Sequence, residues 1–134
     1  MPQSIEHIDA IARSKGRDVL YVTFHQTLHD RLDWNRLPVR GAIIAWLDAH
    51  NYAWSCCGDV GSTTFMGPYL GQIYIDVPFD EADPAYQSLR DFLEKPDGSM
   101  VFDDARFCYY PLQLAMKNAH HDEPGFWESW ANDF

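Results

Sequence analysis

Basic residues are scarce in this chain of 134 residues, where ten Lys and Arg stand against twenty Asp and Glu and leave a net charge of −10. Up to residue 50 acids and bases are equal in number, so the excess lies downstream. It is strongest over residues 76–104, which hold nine acids and two bases. Phosphate backbones and anionic lipid surfaces are bound through Lys and Arg. The sequence therefore disfavours direct binding to nucleic acids or membranes.

Long hydrophobic runs are also missing. The longest covers residues 42–47, far fewer than the ~20 residues that span a bilayer, and no signal-peptide pattern opens the sequence. Cysteine is sparse and odd in number, with Cys56 and Cys57 adjacent and Cys108 far away, which does not suit a disulfide framework. These absences predict a cytoplasmic protein in a reducing compartment.

Apolar residues, in contrast, are plentiful. They make up 46% of the chain, and aromatic residues make up 15%, which is too rich for a disordered protein. No repeat or linker-like stretch interrupts the sequence. We therefore expect one folded domain over residues 1–134.

Hydrophobic periodicity predicts a regular succession of helices and strands. Ser4 caps the first helix, Pro38 opens the second and Asp83-Pro84 opens the third. The predicted helices cover residues 4–15, 38–50, 84–95 and 112–118, with another after Pro124. The predicted strands cover residues 19–25, 52–57 and 72–77, with an extended stretch over 99–110 and a glycine-rich connection over 58–71.

Strand, helix, strand, strand, helix, strand is the order of a ferredoxin-like βαββαβ sandwich. The fold class is therefore predicted to be α+β, with an added N-terminal helix and a C-terminal helical extension. Two details follow from the patterns. The second helix is apolar on most sides and should be buried on most sides. The strand over 72–77 should point Ile73, Ile75 and Val77 inward and Gln72, Tyr74 and Asp76 outward.

Possible metal ligands occur at three places, but none forms a recognised spacing such as C-x-x-C or H-E-x-x-H. They are His25 with His29, Cys56 and Cys57 with Asp59, and His120 and His121 with Asp122 and Glu123. Adjacent cysteines on a strand point to opposite faces, so only one of the two could join a cluster. We predict no metal and no cofactor.

A small Cys/His enzyme or ligand-binding domain is an alternative. Cys56 or Cys57 could be activated by His25 and oriented by Asp59, beside the glycine-rich connection. That connection lacks the lysine of a P-loop and does not match G-x-G-x-x-G. Free cysteines are more often packed in a core than reactive, so we favour a protein that is not an enzyme and has no catalytic residues.

The favoured prediction is an acidic binding protein that inhibits a basic protein or nucleoprotein complex, with carboxylates in place of nucleic-acid phosphates. Immunity proteins and anti-defence inhibitors are small, acidic and aromatic-rich in the same general way, although no motif is shared. The state is left open between monomer and homodimer. The predicted partner-binding residues are Asp76, Asp80, Glu81, Asp83, Asp91, Glu94, Asp97, Asp103 and Asp104, with Phe65 and Tyr69 in the glycine-rich connection.

Overall fold

The computed structural model of the chain describes residues 7–24, 37–58 and 71–126. The helices are α1 (Ile8–Lys15), α2 (Pro38–Ala49), α3 (Pro84–Leu93) and α4 (Leu112–Ala115), which continues as a 3₁₀ helix, Met116–Asp122. The strands are β1 (Val19–Phe24), β2 (Trp54–Cys56), β3 (Ile73–Ile75) and β4 (Ala105–Tyr110). The predicted cap at Ser4 and most of the glycine-rich connection lie outside the described residues.

The four strands form one antiparallel sheet in the order β2-β3-β1-β4. β1 pairs with β3 through Leu20 and Ile75, and with β4 from Val19↔Tyr110 to Phe24↔Ala105. β2 pairs with β3 and forms one edge of the sheet. β4 forms the opposite edge. The predicted α+β class is thus confirmed, because the chain forms helices and a four-stranded antiparallel sheet. The ferredoxin-like topology stays a prediction.

One face of the sheet packs against α2 and α3. Its core is built from Leu20, Val22, Ile73 and Ile75 of the strands, with Ile43 and Leu47 of α2 and Leu89 and Leu93 of α3. All eight side chains are essentially inaccessible to solvent. Each such burial stabilises the fold by about 1.5–3 kcal/mol before entropy is counted, so this layer holds α3 firmly against the sheet.

The opposite face is covered by α1 and α4. Ile8, Ile11 and Ala12 of α1 and Ala115 of α4 form a second core cluster that also contains Val19, Cys57 and Tyr74. The expectation that Gln72 and Tyr74 point outward is therefore wrong, since both are buried. Tyr74 remains satisfied because its hydroxyl donates a hydrogen bond to Asp76 Oδ1 at 2.7 Å. Burial raises the pKa of Tyr74 to about 12.

The expectation for α2 is also wrong in part. Only Ile43 and Leu47 are fully buried, and Ala42 and Ala49 are exposed. Alanine is apolar but small, so it favours a helix without requiring a neighbouring surface. In the three described ranges, no helix combines the length and apolar character needed to cross a membrane.

Candidate protein-binding surface

The acidic segment, residues 76–104, is organised around α3. The apolar side of α3 places Tyr86, Leu89 and Leu93 in the core. The helix therefore turns its polar side outward, where Gln87 and Asp91 are exposed. The sequence predicted this amphipathic arrangement from its 3.6-residue period.

Three acids, Asp80, Glu81 and Asp83, occupy the turn before α3, and two of them stabilise the local backbone by hydrogen bonds. Asp83 is the N-cap of α3, and its Oδ1 accepts a hydrogen bond from the Ala85 N–H at 2.7 Å. Asp80 Oδ1 accepts from the Ala82 N–H at 2.9 Å and shapes the turn. Glu81 is exposed. Since a helix cap contributes about 1 kcal/mol, replacing Asp83 would change stability as well as surface charge.

A second acidic group lies where α3 ends. The Lys95 N–H donates to the Ser99 carbonyl at 2.7 Å, and the Val101 N–H donates to the Leu93 carbonyl at 2.9 Å, so the chain folds back beside the helix. Asp97 stabilises this turn by accepting hydrogen bonds from the Ser99 hydroxyl and N–H at 2.6 and 2.9 Å, which lower the pKa of its carboxyl.

A cavity of about 510 Å³ opens at this end of α3. Its lining combines two acids, two bases and two turn residues: Arg90, Asp91, Glu94, Lys95, Pro96 and Gly98. The Glu94 carboxyl is half-buried, and burial raises its pKa. Because its charges balance, the cavity does not by itself select a cation or an anion.

Little of the negative charge around α3 is neutralised by the described ion pairs. Asp91 Oδ1 lies 3.4 Å from Arg90 Nη2, but the Asp91 side chain is 73% exposed, so this pair is weak. Arg90 also covers the Tyr86 ring at 5.8 Å. Residues 78–104 hold eight acids against Arg90 and Lys95. They therefore carry a net charge of −6, mostly exposed to solvent.

Asp76 belongs to a different environment. Its Oδ1 lies 2.6 Å from Arg17 Nη2 and 3.6 Å from Lys15 Nζ. The hydrogen bond from Tyr74, assisted by these two cations, lowers the pKa of Asp76. Its charge is largely compensated within the protein, so we leave it out of the surface formed by the other predicted acids.

The remaining predicted binding residues fall in two places. Asp103, which is exposed, and Asp104, which is half-buried, come immediately before β4. Phe65 and Tyr69 lie outside the described residues. The candidate surface is therefore defined as the acidic surface: Asp80, Glu81, Asp83, Asp91, Glu94, Asp97, Asp103 and Asp104.

The cysteines lie in or near the core, and all three are free thiols. Cys57 is fully buried, whereas Cys56 is half-buried with its Sγ 3.9 Å from Arg40 Nη2. Burial raises the pKa of Cys108. His25 and Asp59, the other members of the hypothetical catalytic group, lie outside the described residues. Within the described residues, no group of three or more His, Cys, Asp and Glu could hold a metal ion.

The sequence analysis did not predict a partly buried polar cluster between α1 and the C-terminal helices. Arg13 donates from Nε and Nη2 to both carboxylate oxygens of Asp122, at 2.7 Å each. Its Nη1 lies 3.1 Å from Asp9 Oδ2 and 2.9 Å from the Ala115 carbonyl oxygen. Asn118 Nδ2 donates to the same Asp9 oxygen at 2.9 Å. We call these five residues the Arg13 cluster.

The Arg13 cluster is structural because its polar groups bind one another across the contact between α1 and the C-terminal helices. Asp9 is fully buried and the Arg13 side chain is 5% exposed. The hydrogen bonds from Arg13 lower the pKa of Asp122. The (i, i+4) spacing of Asp9 and Arg13 was a signal in the sequence, but such pairs are usually solvated on a helix surface.

His121 lies at the same interface, and we expect it to make the stability of the fold depend on pH. The residue is 6% exposed, and its ring stacks on Phe126 with centroids 4.7 Å apart. Burial lowers the pKa of His121; among its neighbours His120, Arg13 and His7 also lower it, and Asp9 raises it. The unfolded chain therefore binds a proton more readily, and stability falls as pH drops below the unfolded pKa of about 6.5.

We accordingly expect the free energy of unfolding to decrease between pH 7 and pH 5. Urea denaturation across this range measures the slope, and His121→Gln should reduce it. His50→Gln is the control, because His50 is exposed at the end of α2. Equal slopes in the natural chain and the His121→Gln variant would contradict the assignment to His121.

No protein-family model, curated protein or solved structure matches this chain.

Proposed function

We propose that this chain is a non-enzymatic binding protein whose acidic surface inhibits a basic, nucleic-acid-handling partner. The observation that carries the proposal is the net charge of −6 over residues 78–104, with the described ion pair among them weak and exposed. A surface of this charge attracts Lys and Arg side chains over long range and speeds association. It competes for the same partner residues that bind phosphates.

Two features favour a binding surface over an acidic coat that only keeps the protein soluble. The acids are concentrated around one helix that the core holds rigidly through Leu89 and Leu93. Several are further fixed by hydrogen bonds, as Asp83 is by Ala85 and Asp97 by Ser99. Preorganised charges lose less conformational entropy on binding than mobile ones do.

We also infer the ferredoxin-like arrangement of this fold. Supporting it, the segment with α2 connects β1 to β2 across β3, and the segment with α3 connects β3 to β4 across β1. In this arrangement both long connections carry a helix that packs on the same face of the sheet.

Affinity capture from lysate at low and high salt tests the proposed function. The tagged chain should retain a basic nucleic-acid-binding protein at low salt, and about 0.5 M salt should release most of it, since the Debye length then shortens to about 4 Å. Purified partner should lose binding to its nucleic acid when the chain is added. Ternary binding of chain, partner and nucleic acid together would contradict the proposal.

A further inference from the structure

We propose that the outer edge of β4 binds an extended segment of the basic partner, which adds to the sheet as a fifth strand. The inference rests on the proposed function and specifies how the partner docks. In strand addition, main-chain hydrogen bonds supply affinity, and alternate side chains of the added strand supply specificity.

The sheet order places β4 at one edge. β1 pairs with β4 through all six of its residues, so one side of β4 is fully used. In the described part of the chain, no strand pairs with the other side of β4. The opposite edge of the sheet, β2, has only three residues. β4 therefore offers the longer row of main-chain donors and acceptors.

The side chains of β4 do little to block such pairing. Natural edge strands are usually protected by several charges, by proline or by a bulge. β4 has a single charged residue, Arg106, and four of its six residues are Phe107, Cys108, Tyr109 and Tyr110. Tyr109 is 51% exposed, and its ring meets Phe79 edge-on at 4.6 Å. Phe79 is partly buried, so Tyr109 is the exposed member of this pair. An exposed tyrosine supported by a second aromatic ring is a frequent anchor in protein interfaces.

The charges around β4 identify the occupant. Asp103 and Asp104 come immediately before the strand, while Asp80 and Glu81 directly follow Phe79, which contacts Tyr109 near the strand's other end. Acids therefore flank both ends of an edge strand whose own charged residue is Arg106 and whose remaining residues are uncharged. A strand with Lys or Arg at both ends and apolar residues between them complements this pattern. A second copy of this chain, pairing antiparallel, would instead bring acids against acids.

Synthetic peptides provide the probe. The first alternates valine and threonine and carries lysine and arginine at both ends. The second is identical except that every amide between the charged ends is N-methylated, which keeps its charge but removes the donors from both edges of the peptide. We expect the first peptide to bind about tenfold more tightly or better, since several main-chain hydrogen bonds are lost in the second. Amide hydrogen exchange in β4 should slow only with the first peptide.

Two protein variants with the same change in charge locate the site. Tyr109→Lys should weaken binding of the first peptide at least about tenfold by removing the aromatic anchor and adding repulsion. Leu114→Lys should not, because Leu114 is comparably exposed but lies in α4.

The outcomes separate this inference from the proposed function. Equal affinity for both peptides, or equal weakening by both variants, would show that the acidic surface attracts cations without strand addition, and would overturn only this inference. Absence of peptide binding at low salt, or a dimer of the chain with protected β4 amides, would also overturn it. The proposed function is decided separately, by competition between the captured partner and its nucleic acid.

Discussion

We expect the Arg13→Met variant to unfold with a free energy about 3–5 kcal/mol lower than that of the natural chain. Arg13 supplies the positive charge beside Asp9, which is fully buried. Removing one partner of a buried ion pair leaves the other charge without compensation, and this is among the largest effects of a single substitution. Met preserves most of the side-chain volume, so the loss reports charge and hydrogen bonding rather than a cavity.

Urea denaturation measures this change in the free energy of unfolding, and two further variants serve as controls. Asp122→Asn removes the other ion pair of Arg13, but the Asp122 side chain is 49% exposed, so we expect a cost of about 1 kcal/mol or less. The double variant Asp9→Leu with Arg13→Met should recover part of the loss, since no charge is then buried. If Arg13→Met costs no more than Asp122→Asn, Asp9 is not held in an apolar environment.

The second large effect concerns binding. We expect replacement of Glu81, Asp91 and Asp103 by Lys to weaken binding of the captured partner by well over tenfold, because the local charge changes by six units. All three side chains are exposed, and none is a helix cap. The free energy of unfolding should therefore stay within about 0.5 kcal/mol per substitution. Surface plasmon resonance at two salt concentrations measures both affinity and association rate.

A matched pair of variants separates local charge from net charge. Glu81→Gln, Asp91→Asn and Asp103→Asn raise the net charge by three. Lysine in place of Ser14, Gln113 and Met116, which are exposed on α1, α4 and the start of the 3₁₀ helix, raises it equally. Only the first triple should slow association strongly. Equal effects of both triples would mean that total charge, not the acidic surface, controls binding.

The sequence predicted the elements well wherever local chemistry decides them. Pro38 and Pro84 mark the helix starts, Gly16 ends α1 with a positive φ of 68°, and the alternation in β1 divides Leu20 and Val22 from Tyr21 as expected. Such signals act through the backbone or through immediate neighbours, so they can be recognised in a single sequence.

The predictions failed where distant segments meet. Tyr74 alternates with isoleucines, which normally indicates a solvated face, but α1 and α4 cover it. The sequence predicted Asp76 to be a partner-binding acid, but in the folded chain its carboxylate pairs with Lys15 and Arg17. The Arg13 cluster joins residues more than a hundred positions apart, as Arg13 and Asp122 show. The hydrophobic periodicity of a helix or strand does not predict which helix will pack on which face of the sheet.

The position of β1 in the sheet also bears on how the chain folds during synthesis. Its neighbours, β3 and β4, are both made much later, and the pairing of Val19 with Tyr110 closes a loop that runs from residue 19 to residue 110. Pairing over such separations pays its loop-closure entropy early and slows folding. Until β4 leaves the ribosome, β1 has at least one open edge, which exposes the nascent chain to pairing with other strands.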